Sequence, residues 1–305
     1  MNDRRRFLKL IAAAVAAAGS AGRAAGQGPA AAPGIRKSIL INMLPRDQPY
    51  AARFGLAREA GFDAIEMQTI ARPEEAEEIR EAARAKGMRI HSVMNMDHWR
   101  LPLSSSDPDV VTRSVQGMET SLRNAALWGA DAVLLVPAVV DATTGYKDAY
   151  QRSQRVIRER LLPMARDLKV VIAVEEVWNK FLLSPIEFAR YVDEFDSPWL
   201  KAYFDVGNVV LFAFPQDWIR TLGARIVKIH LKDFNLDRQK GQYTWKPIGE
   251  GDIDWPEVRR ALRDIGYAGF VTTEVSGGDA AYLKEVGARV DRFLAGQKPV
   301  GSALL

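Results

Sequence analysis

The chain has 305 residues, 48% of them apolar and 26% charged, enough to bury a large core as one barrel-sized domain, with no linker or repeat that argues for two. It contains no cysteine, which excludes disulfides, thiolate metal ligands, cysteine nucleophiles and a lipoprotein anchor. Residues 1–34 carry Arg4, Arg5, Arg6, Lys9 and Arg23 against Asp3, a net of +4, so the formal +4 of the whole chain leaves 0 for residues 35–305 and gives no support to nucleic-acid binding.

The chain opens MNDRRRFLKL, in which Arg4-Arg5, one residue, then Phe7-Leu8-Lys9 resembles the twin-arginine export motif, with Asp3 where Ser or Thr is usual. An apolar run from Leu10 to Ala18 follows, far short of the roughly 20 residues that span a bilayer as a helix. Small residues after it suit a signal-peptidase site. The expectation is a twin-arginine signal peptide and small-residue linker over 1–34, and a domain over 35–305 exported to the periplasm without a stable membrane anchor.

From residue 35 onward, short apolar runs alternate with amphipathic stretches of helical length, the pattern of repeated βα units. Strands are predicted near 38–43, 62–67, 88–94, 131–136, 170–175, 200–205, 225–231 and 269–274. Helices are predicted between them, among others Pro73–Ala85, Val110–Trp128, Tyr146–Asp167 and Pro185–Glu194. Ala-Gly-Phe-Asp at 60–63, Trp-Gly-Ala-Asp at 128–131 and Gly-Tyr-Ala-Gly at 266–269 place a glycine where a helix ends and turns into the next strand. Eight strands alternating with helices make a single α/β (β/α)8 TIM barrel the economical fold.

Four predicted strands in the C-terminal half end on a metal-ligating side chain: VVIAVE on Glu175, KAYFD on Asp205, RIVKIH on His230 and GFVTTE on Glu274. In a parallel barrel those ends open on one face, so the four converge. Strand alternation agrees: Val171, Ala173 and Glu175 share a face, as do Ile226, Lys228 and His230, and Phe270, Thr272 and Glu274. Three carboxylates and an imidazole suit one divalent ion, Mn²⁺, Mg²⁺ or Co²⁺, and are also open to Zn²⁺. Taken singly, each residue has a structural alternative: a rim ion pair for Glu175, a turn cap for Asp205, a satisfied core histidine for His230.

The segments VEEVWNKFLLSP, AYFDVGN, IVKIHLKDF, GEGDIDWP and TTEVSGG between Val170 and Gly278 resemble the xylose-isomerase-like TIM barrels, especially the ketose 3-epimerase and L-ribulose-5-phosphate 3-epimerase branch. Weaker similarity runs back through GFDAIEM to the first strand. The resemblance implies that Glu175, Asp205, His230 and Glu274 ligate the metal and that Glu175 and Glu274 double as the acid/base pair. It further implies a 2-keto sugar whose proton, on the carbon between carbonyl and hydroxyl, becomes removable beside the ion. One carboxylate would abstract that proton and the other return one on the opposite face. Two departures bear on the substrate. Asn208 stands where the free-ketose epimerases have His three residues after the strand-six Asp, and Phe181 stands where they have a substrate-contacting Glu. Glu176 follows the strand-five ligand, and alternation favours Glu175 over it.

Secondary candidates surround these. Glu66, ending strand two, would reach substrate or balance Lys228; His91 would pack inside the barrel or touch a sugar hydroxyl. His98 is a loop residue that covers ligand or is solvated. Asn179, Lys180, Asn208 and Lys232 are candidates for sugar hydroxyls or a phosphate, against solvated rim charges as the alternative for the lysines. Trp99, Trp178 and Trp245 are placed in mouth loops that could stack on sugar faces. The leading expectation is an exported metal-dependent epimerase or isomerase of a ketose or keto-sugar, with a small-molecule carbohydrate as its partner and a homodimer left open. The alternatives are a 3-keto-glycoside lyase or hydrolase built on the same enolising site, and a sugar-binding protein without turnover. An apurinic endonuclease would need a histidine-rich three-metal cluster, and this chain has only His91, His98 and His230.

Overall fold

The computed structural model describes residues 34–237 and 239–300. The leader read from residues 1–34 therefore lies, apart from Gly34, outside the described residues. Among the described residues no helix is long and apolar enough to cross a membrane.

The elements run β1 (Arg36–Leu40), α1 (Tyr50–Glu59), β2 (Ala64–Gln68), α2 (Pro73–Lys86), β3 (Arg89–Met94), α3 (Pro108–Trp128) and β4 (Ala132–Leu135). After α4 (Tyr146–Val156) and α5 (Leu162–Leu168) come β5 (Val171–Glu175), α6 (Pro185–Asp193), β6 (Leu200–Asp205), α7 (Pro215–Leu222) and β7 (Ile226–Leu231). The chain finishes with β8 (Asp233–Asp237), β9 (Gln242–Lys246), α8 (Trp255–Asp264), β10 (Phe270–Thr273) and α9 (Ala280–Leu294). Eight parallel strands close in the order β1-β10-β7-β6-β5-β4-β3-β2, the (β/α)8 barrel expected from the alternation. Gly61, Gly129 and Gly266 have φ of 86°, 70° and 67°, the left-handed cap conformation their positions before strands imply.

Two departures have local causes. The helix expected over Tyr146–Asp167 is divided by a π turn at Ile157–Leu161. Pro163, in the first turn of the next segment, has no N–H to donate to the preceding turn, and the wider turn accommodates it. The stretch after β7, expected as loop, is instead an antiparallel hairpin of β8 and β9 in which Asp233 pairs with Lys246 and Phe234 with Trp245.

The barrel's two ends differ in chemistry. At the strand starts, Phe270 is ringed by Arg36, Arg89 and Lys228, at 4.2, 5.2 and 5.4 Å from its centroid. Asp131 accepts from Lys228 at 2.5 Å and Arg89 at 3.1 Å. That closes the floor, where barrels carry stability rather than catalysis. Farther along the strands the interior is polar: Glu66, His91, Ser92, His230 and Thr272 are fully buried. A buried polar group must find partners or cost free energy, and those partners lead to the site.

Candidate functional site

Register brings the four ligand candidates together at the C-terminal strand ends. Asp205 on β6 stands directly beside His230 on β7, His230 beside Thr272 on β10, and the Glu274 amide donates to the Leu231 carbonyl at 3.0 Å. One ligand atom from each of Glu175, Asp205, His230 and Glu274 lies within 4.8 Å of every other. Around His230 Nδ1 stand Glu175 Oε1 at 3.0 Å, Glu274 Oε2 at 3.1 Å and Asp205 Oδ2 at 3.8 Å.

The other ring nitrogen decides what Nδ1 can be. His230 Nε2 lies 2.8 Å from Glu66 Oε2, and the same oxygen accepts the Tyr203 hydroxyl at 2.7 Å. Assigning the imidazole proton to Nε2, where a buried carboxylate waits, leaves the Nδ1 lone pair facing three carboxylates. Such an arrangement needs positive charge at its centre. Burial disfavours a second proton on the ring, yet Glu66, Glu274 and Glu175 outweigh burial and hold His230 well above the usual histidine range. Positive charge comes also from Lys232, whose Nζ lies 2.8 Å from both Asp205 Oδ2 and Glu274 Oε2. Gly207 makes that approach feasible, since a Cβ there would lie 2.3 Å from Lys232 Cγ.

The donor set fits a divalent cation on its own geometry. Asp205 Oδ1 takes the amides of Gly207 and Asn208 at 2.7 and 3.0 Å, which orients Oδ2 inward. Oδ2 has no aligned hydrogen bond, only the ammonium of Lys232. Three oxygens and one imidazole nitrogen could hold Mn²⁺, Mg²⁺ or Co²⁺, or Zn²⁺, and a carboxylate on the far nitrogen is the usual brace of a metal-ligating histidine.

The two glutamates are pushed apart electrostatically. Burial raises Glu175 to about 7 against the opposing hydrogen bond from His230. Burial also works to raise Glu274, but Lys232 and His230 outweigh it and hold that carboxyl well below the usual range. One carboxyl can therefore carry a proton near neutrality while the other is ionised, the pattern of an acid/base pair.

The secondary candidates separate. Lys232 and Asn208 are at the site: Asn208 Nδ2 donates to the Glu176 carbonyl at 3.0 Å, and both residues border a cavity of about 270 Å³ with Glu175, Glu274, Trp178 and Trp245. His98 and Trp99 border the same cavity. Glu66 is not the ion-pair partner of Lys228, which is Asp131, and acts on that lysine only as a weaker charge; it is fully buried and hydrogen-bonded to His230 and Tyr203. His91 matches its packing alternative, with its ring stacked on Phe270 at 4.5 Å and Nε2 3.0 Å from Thr272 Oγ1. Asn179 is not free for a sugar: its Nδ2 donates to the Ala138 carbonyl at 2.6 Å and its Oδ1 accepts from the Phe181 amide at 3.1 Å, bracing the loop after β5. Lys180 is exposed and faces Asp141. Glu176 stands outside the ligand cluster, buried, with neither carboxyl oxygen hydrogen-bonded and burial pushing it well up.

Three contributors escaped the sequence reading. Tyr203 shares the inward parity of Asp205, which was a usable signal. Asp233 Oδ2 gathers the amides of Gly249 and Gly251 and the Trp255 indole at 2.9, 3.1 and 2.8 Å, which gives GEGDIDWP its structural reason. The hairpin brings Tyr243 and Trp245 against Trp178, at 4.8 and 5.8 Å between centroids, and the Trp178 indole donates to the Asn208 carbonyl at 2.9 Å.

Known proteins agree with this architecture. L-Ribulose-5-phosphate 3-epimerase UlaE of Escherichia coli O1:K1 / APEC is 29% identical over 251 residues, 77% of this chain and 85% of that protein. The UlaE of Salmonella heidelberg (strain SL476) matches equally, also 29% over 251 residues and the same shares of both chains. Among solved structures, a D-tagatose 3-epimerase-like protein superposes with a TM-score of 0.72 at 19% identity, covering 86% of this chain and 97% of its own. The 3-keto-D-glucoside 4-epimerase YcjR of E. coli does so at 0.69 and 14%, covering 83% and 97%. At these identities the superpositions speak for the fold. The sequence model of one family spans residues 54–291, from α1 to α9 and across all four clustered ligands, and by that match this chain belongs to the xylose isomerase-like TIM barrels.

Proposed function

We propose that this protein is a divalent-metal-dependent sugar epimerase or isomerase acting on a ketose or keto-sugar. The observation that carries the reading is the placement of Glu175 and Glu274. Both carboxyls stand about 3 Å from one histidine nitrogen, yet they come from β5 and the end of β10, separated in the barrel by β6 and β7. A substrate seated among the four ligands therefore meets a carboxyl from each of two directions.

Bound there, a divalent ion would supply positive charge beside the ketone oxygen and its neighbouring hydroxyl, making the intervening C–H acidic enough to lose. The chain's own groups do the rest. In one direction Glu274 takes the proton from the carbon next to the carbonyl and Glu175, carrying a proton, gives one to the other face, so the configuration inverts; in the reverse direction the two exchange roles. After the first, Glu274 ends protonated and Glu175 ionised, so both must exchange with water before the same direction repeats. The relatives named as 3-epimerases support this reading. We further infer that the chain is exported to the periplasm by the twin-arginine route, which rests on Arg4-Arg5 and the apolar run behind them.

The test is incubation of the purified chain, loaded in turn with Mn²⁺, Mg²⁺ and Co²⁺, in D₂O with a panel of ketoses and keto-glycosides. The expected product is an epimer or aldose isomer of unchanged skeleton carrying deuterium at the carbon beside the carbonyl. A panel that yields neither new isomer nor deuterated sugar with any of the three ions sinks the proposal.

A further inference from the structure

We infer that the substrate is a two-unit carbohydrate: a keto-sugar at Glu175 and Glu274 linked to a second, uncharged sugar ring lodged against Trp245 and Tyr282. The inference rests on the epimerase reading for the first unit, and adds the second. Two cavities meet in the barrel mouth at a shared wall made by Lys232, Trp245 and Glu274. One, of about 270 Å³, contains both Glu175 and Glu274 and is where the reacting carbon must lie. The other, of about 400 Å³, contains only Glu274 of the four ligands and is bounded by Lys246, Pro247, Ser276 and Tyr282. Together they fall within the roughly 300–1,000 Å³ of clefts that take ligands larger than one small ring. A monosaccharide held for proton transfer leaves the larger lobe unused.

The lining selects the occupant. A phosphate dianion is recognised by clustered N–H donors and guanidinium groups, and no arginine among the described residues borders either lobe. Lys232 lies 2.8 Å from both the Asp205 and Glu274 carboxylates, which offset its charge, and Lys246 is the other lysine among the described lining residues. That balance disfavours a dianion. It suits a ring with an apolar C–H face and a rim of hydroxyls: Trp245 offers an indole 52% exposed, and Lys246, Ser276 and Tyr282 offer hydrogen-bonding groups beside it.

Both aromatic walls are fixed before any ligand arrives. Trp245 lies parallel to Trp178 at 5.8 Å and is braced by Phe234 and Tyr243 at 5.5 and 5.9 Å. Tyr282 sits in the first turn of α9 with its amide on Asp279 Oδ1 at 2.9 Å, and its ring lies so close over Gly278 that a Cβ there would be 2.5 Å from Cδ1. Rigid walls spare the ordering cost that a mobile loop would incur on binding.

The decisive measurement is equilibrium dialysis of the Mn²⁺-loaded full chain against the ketose-containing disaccharides lactulose, palatinose, turanose and maltulose, their constituent monosaccharides, and ribulose 5-phosphate. At least one disaccharide should bind tenfold or more tighter than its monosaccharides, and Ser276→Trp, which fills the larger lobe, should bring the two affinities together. Equal affinities across the panel, or a sugar phosphate that outbinds every disaccharide, overturns the inference, as does a disaccharide preference that survives Ser276→Trp. Deuterium uptake from D₂O is read in parallel on free ketoses. Failure there counts against the epimerase reading alone, since the dialysis still decides whether the second lobe takes a sugar ring.

Discussion

Glu66 Oε2 lies 2.8 Å from His230 Nε2, on the side of the ring away from Glu175, Asp205 and Glu274, so a residue from β2 sets which nitrogen of a β7 residue is free to bind a cation. Tyr203 holds the same oxygen at 2.7 Å, fixing the carboxylate that fixes the ring. Removing the acceptor frees the imidazole to flip its tautomer and leaves the Tyr203 hydroxyl only its longer contact with Thr272 Oγ1 at 3.4 Å. Glu66→Leu should therefore weaken Mn²⁺ binding by about 10–100-fold. Glu66→Gln, whose amide oxygen still accepts from Nε2–H, should retain most of it. Calorimetric titration gives the affinities, and ¹⁵N spectra of the loaded wild type should show the proton on Nε2. Identical affinity in Glu66→Leu and wild type would show that the contact is only packing.

The four-ligand cluster makes a separate prediction about stability. An ion that binds the folded chain and not the unfolded one adds about 2.7 kcal/mol at a hundred times its dissociation constant. Wild type should accordingly melt several degrees higher with Mn²⁺ than with chelator. Asp205→Ala and His230→Ala should lose that difference. If both variants respond to the ion as wild type does, the cluster is not where it binds.

Where the sequence was informative, the reason is the regularity of the fold. Alternation along a strand is strict, so Glu175, His230 and Glu274 could each be assigned to the face and end of its strand before any coordinates, and Gly61, Gly129 and Gly266 marked the helix ends. Alternation says nothing about what stands across a barrel. That is why Glu66 was assigned to substrate or Lys228 and not to His230, 164 positions away in sequence. Asn179 and Lys180 were drawn toward the site by proximity to Glu175, but the chain turns sharply there, with Lys180 at φ 61° and Leu182 at φ 55°, and carries both away. The β8–β9 hairpin has no continuous apolar run to mark it: β8 reads DFNLD, β9 reads QYTWK, and β9 is largely exposed. The period-two pattern of Tyr243 and Trp245 before Lys246, with Gly241 at φ 62°, was the available signal.

His91 provides a pH handle distant from proton transfer. Burial, then the cation of Lys228, pushes it well below its ordinary 6.5. The folded chain thus refuses a proton that the unfolded chain accepts, and the sign follows: stability is full above about pH 6.5 and declines as pH falls below it, by at most about 1.4 kcal/mol per pH unit for one group. His91→Phe keeps a ring on Phe270 and removes the titration. Urea unfolding at pH 7.5 and 5.0 should show a smaller acid loss in His91→Phe than in wild type, after allowing for a constant offset from the lost Thr272 bond. Equal losses in the two proteins would mean that His91 protonates as easily folded as unfolded.

Export is testable in the native host without reference to activity. Twin-arginine recognition depends on the guanidinium pair, and lysine preserves charge but not its planar fork. Arg4→Lys together with Arg5→Lys should leave the full-length precursor in the cytoplasmic fraction. An undiminished periplasmic yield of shortened protein would show that residues 1–34 are read by another route.

The proton shuttle carries the functional claim, and its two carboxyls predict unequal defects. Glu175→Gln and Glu274→Gln each keep a ligand oxygen and the side-chain volume while removing the capacity to exchange a proton. Each should lower turnover by about 10²–10⁴, with substrate affinity far less affected. In the direction where ionised Glu274 abstracts and protonated Glu175 returns, Glu175→Gln leaves the abstracting group intact. That variant should still wash deuterium from D₂O into recovered substrate while forming little epimer, whereas Glu274→Gln should do neither in that direction and show the complementary behaviour starting from the product epimer. Measuring exchange and inversion separately, from both epimers, distinguishes two carboxyls on two faces from one carboxyl that rotates between them. A single base would lose exchange and inversion together in one variant and keep both in the other, from either epimer, and that outcome would remove the two-sided mechanism while leaving the metal cluster standing.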